Sequence, residues 1–256
     1  GGGADVMVDW MPSALAAREK GLPLVNIAQP FKSSGMKLNC RKYMGVNTTA
    51  DLKGKTFGVC FYGNEYPFLS WMSRLGLKTD GSANGVTVLR QGWGVEPLTE
   101  GQAACVSTMS YNEYWVVRDA GYSPEQLTVF KYQSEGAATL EDGLYVHEKN
   151  LSDAAFKDKM VRFVRASMKG WKYAEANPKE AAMIILDNDD AGVQTEKHQV
   201  RMMGEIAKLT AGSNGSLDPA DYDRTVKVLM SGDSDPVITK KPSGAWTNEI
   251  TNAALN

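Results

Sequence analysis

Three short stretches combine carboxylates, amides and aromatic rings in a repeated way. They are Asp9-Trp10-Met11-Pro12, Asn64-Glu65-Tyr66-Pro67 and Tyr111-Asn112-Glu113-Tyr114-Trp115. Each follows an apolar run (ADVMV, GKTFGVC and ACVSTM) and comes before or within a helical pattern. Rings that stack and a few polar atoms that orient are what a small-molecule pocket requires. A fourth group, Glu141-Asp142, precedes the run GLYV. The candidate ligand-binding residues are therefore Asp9, Trp10, Asn64, Glu65, Tyr66, Tyr111, Asn112, Glu113, Glu141 and Asp142.

Each turn alone has a simpler explanation. Asp and Asn cap helices, a first-turn Glu suits the helix dipole, and aromatics fill cores. Pro12 and Pro67 fit a first helical turn, where no N–H is needed. Glu141-Asp142 reads equally well as an ordinary acidic turn. The recurrence shifts the balance, because α/β sheets bind ligands outside the carboxyl ends of strands, where helix starts converge. A helix start favours an anion, and here protein carboxylates take that place. The expected solute is thus neutral or cationic and rich in N–H donors, and a sulfonate or phosphate would meet negative charge.

Other chemistry is unmarked. Gly54-Lys55-Thr56 lacks the upstream glycine of a phosphate-binding loop and precedes a strand rather than a helix. His147 and His198 have no metal-ligand company and no Ser or Cys partner in a recognisable motif. No catalytic residue, metal ligand or cofactor is assigned. Cys40, Cys60 and Cys105 form no CxxC pair and read as separate buried small residues, with one disulfide left open.

The positioning elements follow from periodicity. Strands are expected at ADVMV, PLVNIAQPF, MKLNCRKY, GKTFGVC, GVTVLRQG, ACVSTM, QLTVFKYQ and GLYV, and helices at MPSALAAREKG, NEYPFLSWMSRLG, VEPLTE and YNEYWVVRDAG. In the second of these helices Phe68, Leu69, Met72 and Leu75 share a face, and Gly76 stops it. From Ser152 onward the chain reads as helices, the first with Phe156, Met160, Phe163, Val164, Met168 and Trp171 at helical spacing. The last runs through PADYDRTVKVLMSG. The alternation up to about residue 150 predicts an α/β fold with largely parallel pairing, covered by the later helices. The 256 residues suffice for one large domain or two small ones. With 28 Lys and Arg against 30 Asp and Glu, net charge is −2, which argues against a basic nucleic-acid surface. No apolar run approaches the ~20 residues of a membrane span, and no signal peptide is evident.

The ordered series ADVMVDWMPSALAAREKGLPLVNIAQ, DLKGKTFGV, GNEYPFLSWMSRLG, STMSYNEYWVVRDAG, LEDGLYV and FVRASMKGWKYAEANPKEAA resembles the periplasmic substrate-binding proteins of ABC importers, in the NMT1/THI5-like family. The resemblance implies a two-lobed (type II) fold with a ligand cleft and extra C-terminal helices. It puts residues 1–45 and 138–256 in lobe I and 46–137 in lobe II. The chain would cross near Lys42–Asp51 and return near Gln133–Thr139. Asp9 and Trp10 would lie on the first lobe, Asn64, Glu65, Tyr66, Tyr111, Asn112 and Glu113 on the second, and Glu141 and Asp142 beside the cleft.

The implied role is capture of a small nitrogenous or aromatic solute, a pyrimidine thiamine precursor or similar heterocycle, by hinge closure. The solute then passes to a membrane permease. The implied protein is a monomeric, periplasmic or otherwise extracytoplasmic non-enzyme without a nucleic-acid partner. The alternatives are an enzyme of pyrimidine or cofactor biosynthesis on the same fold, a sulfonate- or taurine-type binding protein, and a ligand-sensing receptor module. Two departures from the family pattern stand out. The strand-helix-strand-helix that usually precedes the segment matching ADVMVDW is missing, so GGGADV is expected to be an internal start. The cysteine-rich motif and histidine of the synthase enzymes are replaced by a lone Cys60, so the binding role alone carries over.

Overall fold

The structure, a computed structural model, describes residues 3–231 and 236–255. Gly1 and Gly2 of the expected internal start and Gly232 of the last expected helix lie outside these. In chain order the elements are β1 (Met7–Asp9), α1 (Met11–Glu19), β2 (Leu24–Ala28), β3 (Met36–Arg41), β4 (Thr56–Val59), α2 (Glu65–Arg74), β5 (Thr87–Arg90), α3 (Glu96–Thr99), β6 (Cys105–Met109), α4 (Glu113–Asp119), β7 (Leu127–Lys131), β8 (Gly143–His147), α5 (Ala154–Ala176), α6 (Pro178–Asp187), α7 (Glu196–Thr210), α8 (Pro219–Leu229) and α9 (Glu249–Leu255). They form two compact units. Unit 1 holds Gly1–Ser34, Thr139–Lys227 and Ile238–Asn256, and unit 2 holds Gly35–Ala138 and Val228–Val237.

Unit 1 is built on the sheet β1-β8-β2, antiparallel at both ladders. β8 lies in the middle, and Gly143 through Val146 are buried. Its core packs Ile27, Leu144 and Val146 of the sheet against the Phe156, Met160, Val164 and Met168 stripe of α5 and against Ile250 and Ala254 of α9. The stripe follows helical spacing, and Asp153 starts the helix by accepting the Ala155 N–H at 2.9 Å. Phe163, placed on this stripe from its spacing, instead sits on the outer face and is 41% exposed. α9 was not among the expected helices; it is seven residues long, too short for periodicity to mark.

Unit 2 is built on the sheet β5-β4-β6-β3-β7. β4 runs parallel to β5 and β6, whereas β3 runs antiparallel to β6 and β7. The expectation of largely parallel pairing is therefore corrected: β3 enters between β6 and β7 in the opposite sense, and both ladders of the smaller sheet are antiparallel. This also moves the first boundary between units. β3 belongs to the five-stranded sheet, so the division falls after Ser34 rather than after residue 45.

The core of unit 2 contains a fully buried aromatic group. Trp71 packs on Phe130 and Tyr132 with ring centroids 5.9 and 5.1 Å apart, and Phe57 packs on Phe68 at 5.5 Å. The inward face of α2 is thus Phe68, Trp71 and Met72, while Leu75 is 38% exposed. The face expected from spacing was rotated by about one residue.

The cysteines are corrected too. Cys40 and Cys105 stand directly opposite each other on β3 and β6 and form a disulfide, and Cys60 is free. Cross-strand register, which brings together residues 65 apart, is not visible in cysteine spacing.

Candidate functional site

The three turns share one local device, but it is not helix capping. Trp10, Asn64 and Asn112 are the N-cap residues of α1, α2 and α4, and none makes a side-chain cap hydrogen bond. The carboxylates serve the turns instead. Asp9 Oδ1 accepts the Trp10 N–H at 2.8 Å, Glu65 Oε2 accepts the Gly63 N–H at 2.7 Å, and Glu113 Oε2 accepts the Met109 N–H at 2.8 Å. Each acid binds a backbone donor where the strand gives way to the helix, a charge-assisted bond that fixes the turn.

In unit 1 the antiparallel register sets Asp9 opposite Gly143. The carboxyl end of β1 therefore meets the amino end of β8, and Asp9, Trp10 and Asp142 come together. The Asp142 carboxylate accepts a hydrogen bond from the Trp10 side chain and feels the charge of Asp9. Burial raises the pKa of both acids above the usual Asp value, and for Asp142 the neighbouring Asp9 charge adds to this. Behind them lie Tyr145, whose pKa burial pushes far up, and Asn26, whose Nδ2 donates to Gln29 Oε1 at 2.9 Å. Gly143 is needed here: a Cβ would fall 2.5 Å from Asn26 Nδ2 and 2.6 Å from Gln29 Oε1. Glu141, one residue before Asp142, precedes β8 and has a different partner. It is buried, and Ser34 Oγ donates to its Oε1 at 2.5 Å.

In unit 2 the carboxyl ends of β4 and β5 enclose a pocket of about 270 Å³ lined by Cys60, Phe61, Tyr62, Asn64, Arg90, Gln91, Gly92, Trp93 and Glu113. Two predicted residues, Asn64 and Glu113, line it. Glu65, Tyr66, Tyr111 and Asn112 sit on the same turns without lining this pocket. Asn112 Nδ2 donates to Glu113 Oε1 at 3.0 Å, so both Glu113 oxygens are occupied. Burial raises the Glu113 pKa, and burial with the Glu113 charge pushes the Cys60 thiol up to about 12. Asn64 Nδ2 donates to Phe61 O at 3.2 Å, while its Oδ1 is buried without a partner.

Phe61, Tyr62, Arg90, Gln91, Gly92 and Trp93 were not singled out in the sequence. RQGWG has neither the acid nor the proline that marked the other turns. An arginine at a strand end beside an aromatic in a Gly-flanked turn is the signal that could have found them.

The expectation of a neutral or cationic solute rested on free carboxylates at helix starts. In unit 2 the Glu65 and Glu113 carboxylates accept N–H groups of their own turns, and the pocket carries a cation, Arg90. In unit 1 the acid pair Asp9 and Asp142 is present.

Residues 1–181 match the model of the family described as NMT1/THI5 like, and the chain belongs to that family. It is 22% identical to the formylaminopyrimidine-binding protein of Halalkalibacterium halodurans, across 96% of this chain and 76% of that protein. Among solved structures it is similar to a putative sulfonate ABC transporter component of Methylobacillus flagellatus, a periplasmic sulfonate-binding protein. That match has a TM-score of 0.64 and 12% identity, covering 99% of this chain and 75% of the other. It is similar to the same degree to the desulfurization enzyme DSZB, with a TM-score of 0.63 and 12% identity over 98% of this chain and 86% of the enzyme. The fold is thus that of periplasmic binding proteins, on which an enzyme also occurs.

Proposed function

We propose that the chain is the solute-binding component of an ABC importer and takes a small nitrogenous heterocycle of the pyrimidine class. The observation that carries this reading is the unit 2 pocket. Its ~270 Å³ suit a single substituted ring, with aromatic walls and a few fixed polar atoms. The similarity to a formylaminopyrimidine-binding protein supports the ligand class.

The proposed mode of capture is closure about a hinge, followed by delivery to a membrane permease by a monomer. The disulfide supports an oxidising, extracytoplasmic compartment. Among the described residues no helix is long and apolar enough to cross a membrane.

The enzyme alternative draws support from the likeness to DSZB. Against it, the Cys60 thiol in the pocket is held protonated by burial and by Glu113, the reverse of an activated nucleophile. A thermal-shift and native-mass panel of aminopyrimidines, taurine and alkanesulfonates tests the reading. Stabilisation by pyrimidines, one bound per chain and recovered unaltered, is expected. Stabilisation by sulfonates alone overturns the ligand class, and conversion of a pyrimidine to product overturns the non-enzymatic role.

A further inference from the structure

The unit 2 pocket has a polarity of its own. Arg90, the last residue of β5, is its cation. The guanidinium lies over Phe61 and Tyr62, with its central carbon 5.2 and 5.0 Å from the ring centroids. Among the described residues it is held by these ring faces alone, with no hydrogen bond and no ion pair. An arginine stacked in this way is pre-organised while its forked donors stay available to a carboxylate or similar anion.

The other charged group lining the pocket does not compete. Both Glu113 oxygens accept hydrogen bonds, from Met109 N–H and from Asn112 Nδ2. Cys60 stays a neutral thiol.

The walls and one acceptor complete the pattern. Trp93 is 97% exposed, an unusual state for so large an apolar ring, and Tyr62 is 80% exposed. Tyr62 also has φ +65°, the left-handed region that a bulky residue seldom adopts. The loop carrying Trp93 is anchored from within. Gln91, 5% exposed, donates to Gly94 O and Ser107 O, both at 3.0 Å. Gly58 leaves room for it, since a Cβ there would come 3.2 Å from Gln91 Oε1. An exposed indole on an anchored loop is a surface held ready to cover something flat. The partnerless Asn64 Oδ1 supplies an acceptor for a ring amino or N–H group.

We propose that this pocket selects an amino-substituted heteroaromatic acid, with the anionic substituent on Arg90, the ring between Tyr62 and Trp93, and an N–H donor on Asn64. This deepens the ligand class proposed above and rests on that reading of the chain as a heterocycle-binding protein.

The test compares 4-aminopyrimidine-5-carboxylate with its neutral carboxamide by titration calorimetry, with tryptophan fluorescence as a second readout. The carboxylate is expected to bind about 10- to 100-fold more tightly, the range of a charged hydrogen-bonded contact. Arg90→Gln should bring the two probes to near parity, and Arg90→Lys should retain part of the preference. Trp93→Ala should weaken both probes alike, by about 3- to 10-fold. Arg90 is exposed and, apart from its stacking on Phe61 and Tyr62, its side chain has no hydrogen bond or ion pair among the described residues, so the apo melting temperature of its variants should change little. Equal binding of the two probes, or a preference that survives Arg90→Gln, overturns this inference and leaves the proposed function standing. Unchanged affinity in Trp93→Ala overturns the ring placement. If neither probe binds while other pyrimidines do, the inference falls alone; if no pyrimidine binds, both readings fall.

Discussion

Unit 1 keeps its charge as a pair of neighbouring carboxyl groups, whereas unit 2 turns its carboxylates inward and leaves an arginine and rings at the strand ends. The two started from the same pattern of strand end, acid and ring. The acids of Asp9-Trp10 and Asn64-Glu65-Tyr66 both accept a turn N–H. Different sheets separate their fates. The antiparallel β1–β8 register brings a second acid, Asp142, to Asp9. The parallel β4–β5 pair instead aligns Val59 with Arg90, so an arginine ends the strand beside the turn that follows β4. A local motif therefore fixes a turn, and strand direction decides which charge stands next to it.

The units differ most in the disulfide, which lies in unit 2. Replacing Cys40 and Cys105 with Ala removes a link across 65 residues and should cost about 4 kcal/mol. Hydrogen exchange should show β3 and β6 losing protection while β8 keeps it. Equal loss in both would mean that the units do not hold their stability separately.

Gly143→Ala is the converse probe. It forces a Cβ into the Asn26 and Gln29 side chains and should cost about 1–3 kcal/mol, with exchange rising in β1, β2 and β8. Unaltered exchange there would show that the Asn26–Gln29 pair yields readily.

The smallest effect concerns the acids of unit 1. Asp9 and Asp142 have folded pKa values above the ordinary 3.8, so they hold protons more tightly folded than unfolded. Their contribution to stability is best below that ordinary value. It declines as pH rises through the folded pKa, and the penalty persists above it. Asp142→Asn should raise the melting temperature at neutral pH by about 2–4 °C, and the gain should vanish in acid. A gain independent of pH would remove the charge of Asp142 as its source.

Much of this was legible in the residues. The eight strands and the longer helices follow from runs such as GKTFGVC and the α5 stripe, because burial imposes period on sequence. The strand-end position of the turns followed from the same runs. What stayed hidden depends on register or direction. The Cys40–Cys105 bond and the Asp9–Asp142 approach both need knowledge of which residues stand opposite. Trp71 replaced Leu75 on the inner face of α2 because Phe130 and Tyr132, distant in sequence, wait there for an aromatic. Arg90 and Trp93 carry no such mark in the sequence, because the turn after β5 is held by the buried amide of Gln91 rather than by an acid.

The place of β8 in its sheet has a consequence for synthesis. On a ribosome, all five strands of the larger sheet emerge, ending at Lys131, before the middle strand of the smaller one begins at Gly143. Until then β1 and β2 have left the exit tunnel with no hydrogen-bonding neighbour of their own sheet. Apart from the late segment 228–237, the inserted block is free to condense during translation, while β1 and β2 wait for β8. Between them, β1 and β2 have no strand of their own described sheet to pair with until residues 143–147 arrive, and that arrival ends the interval.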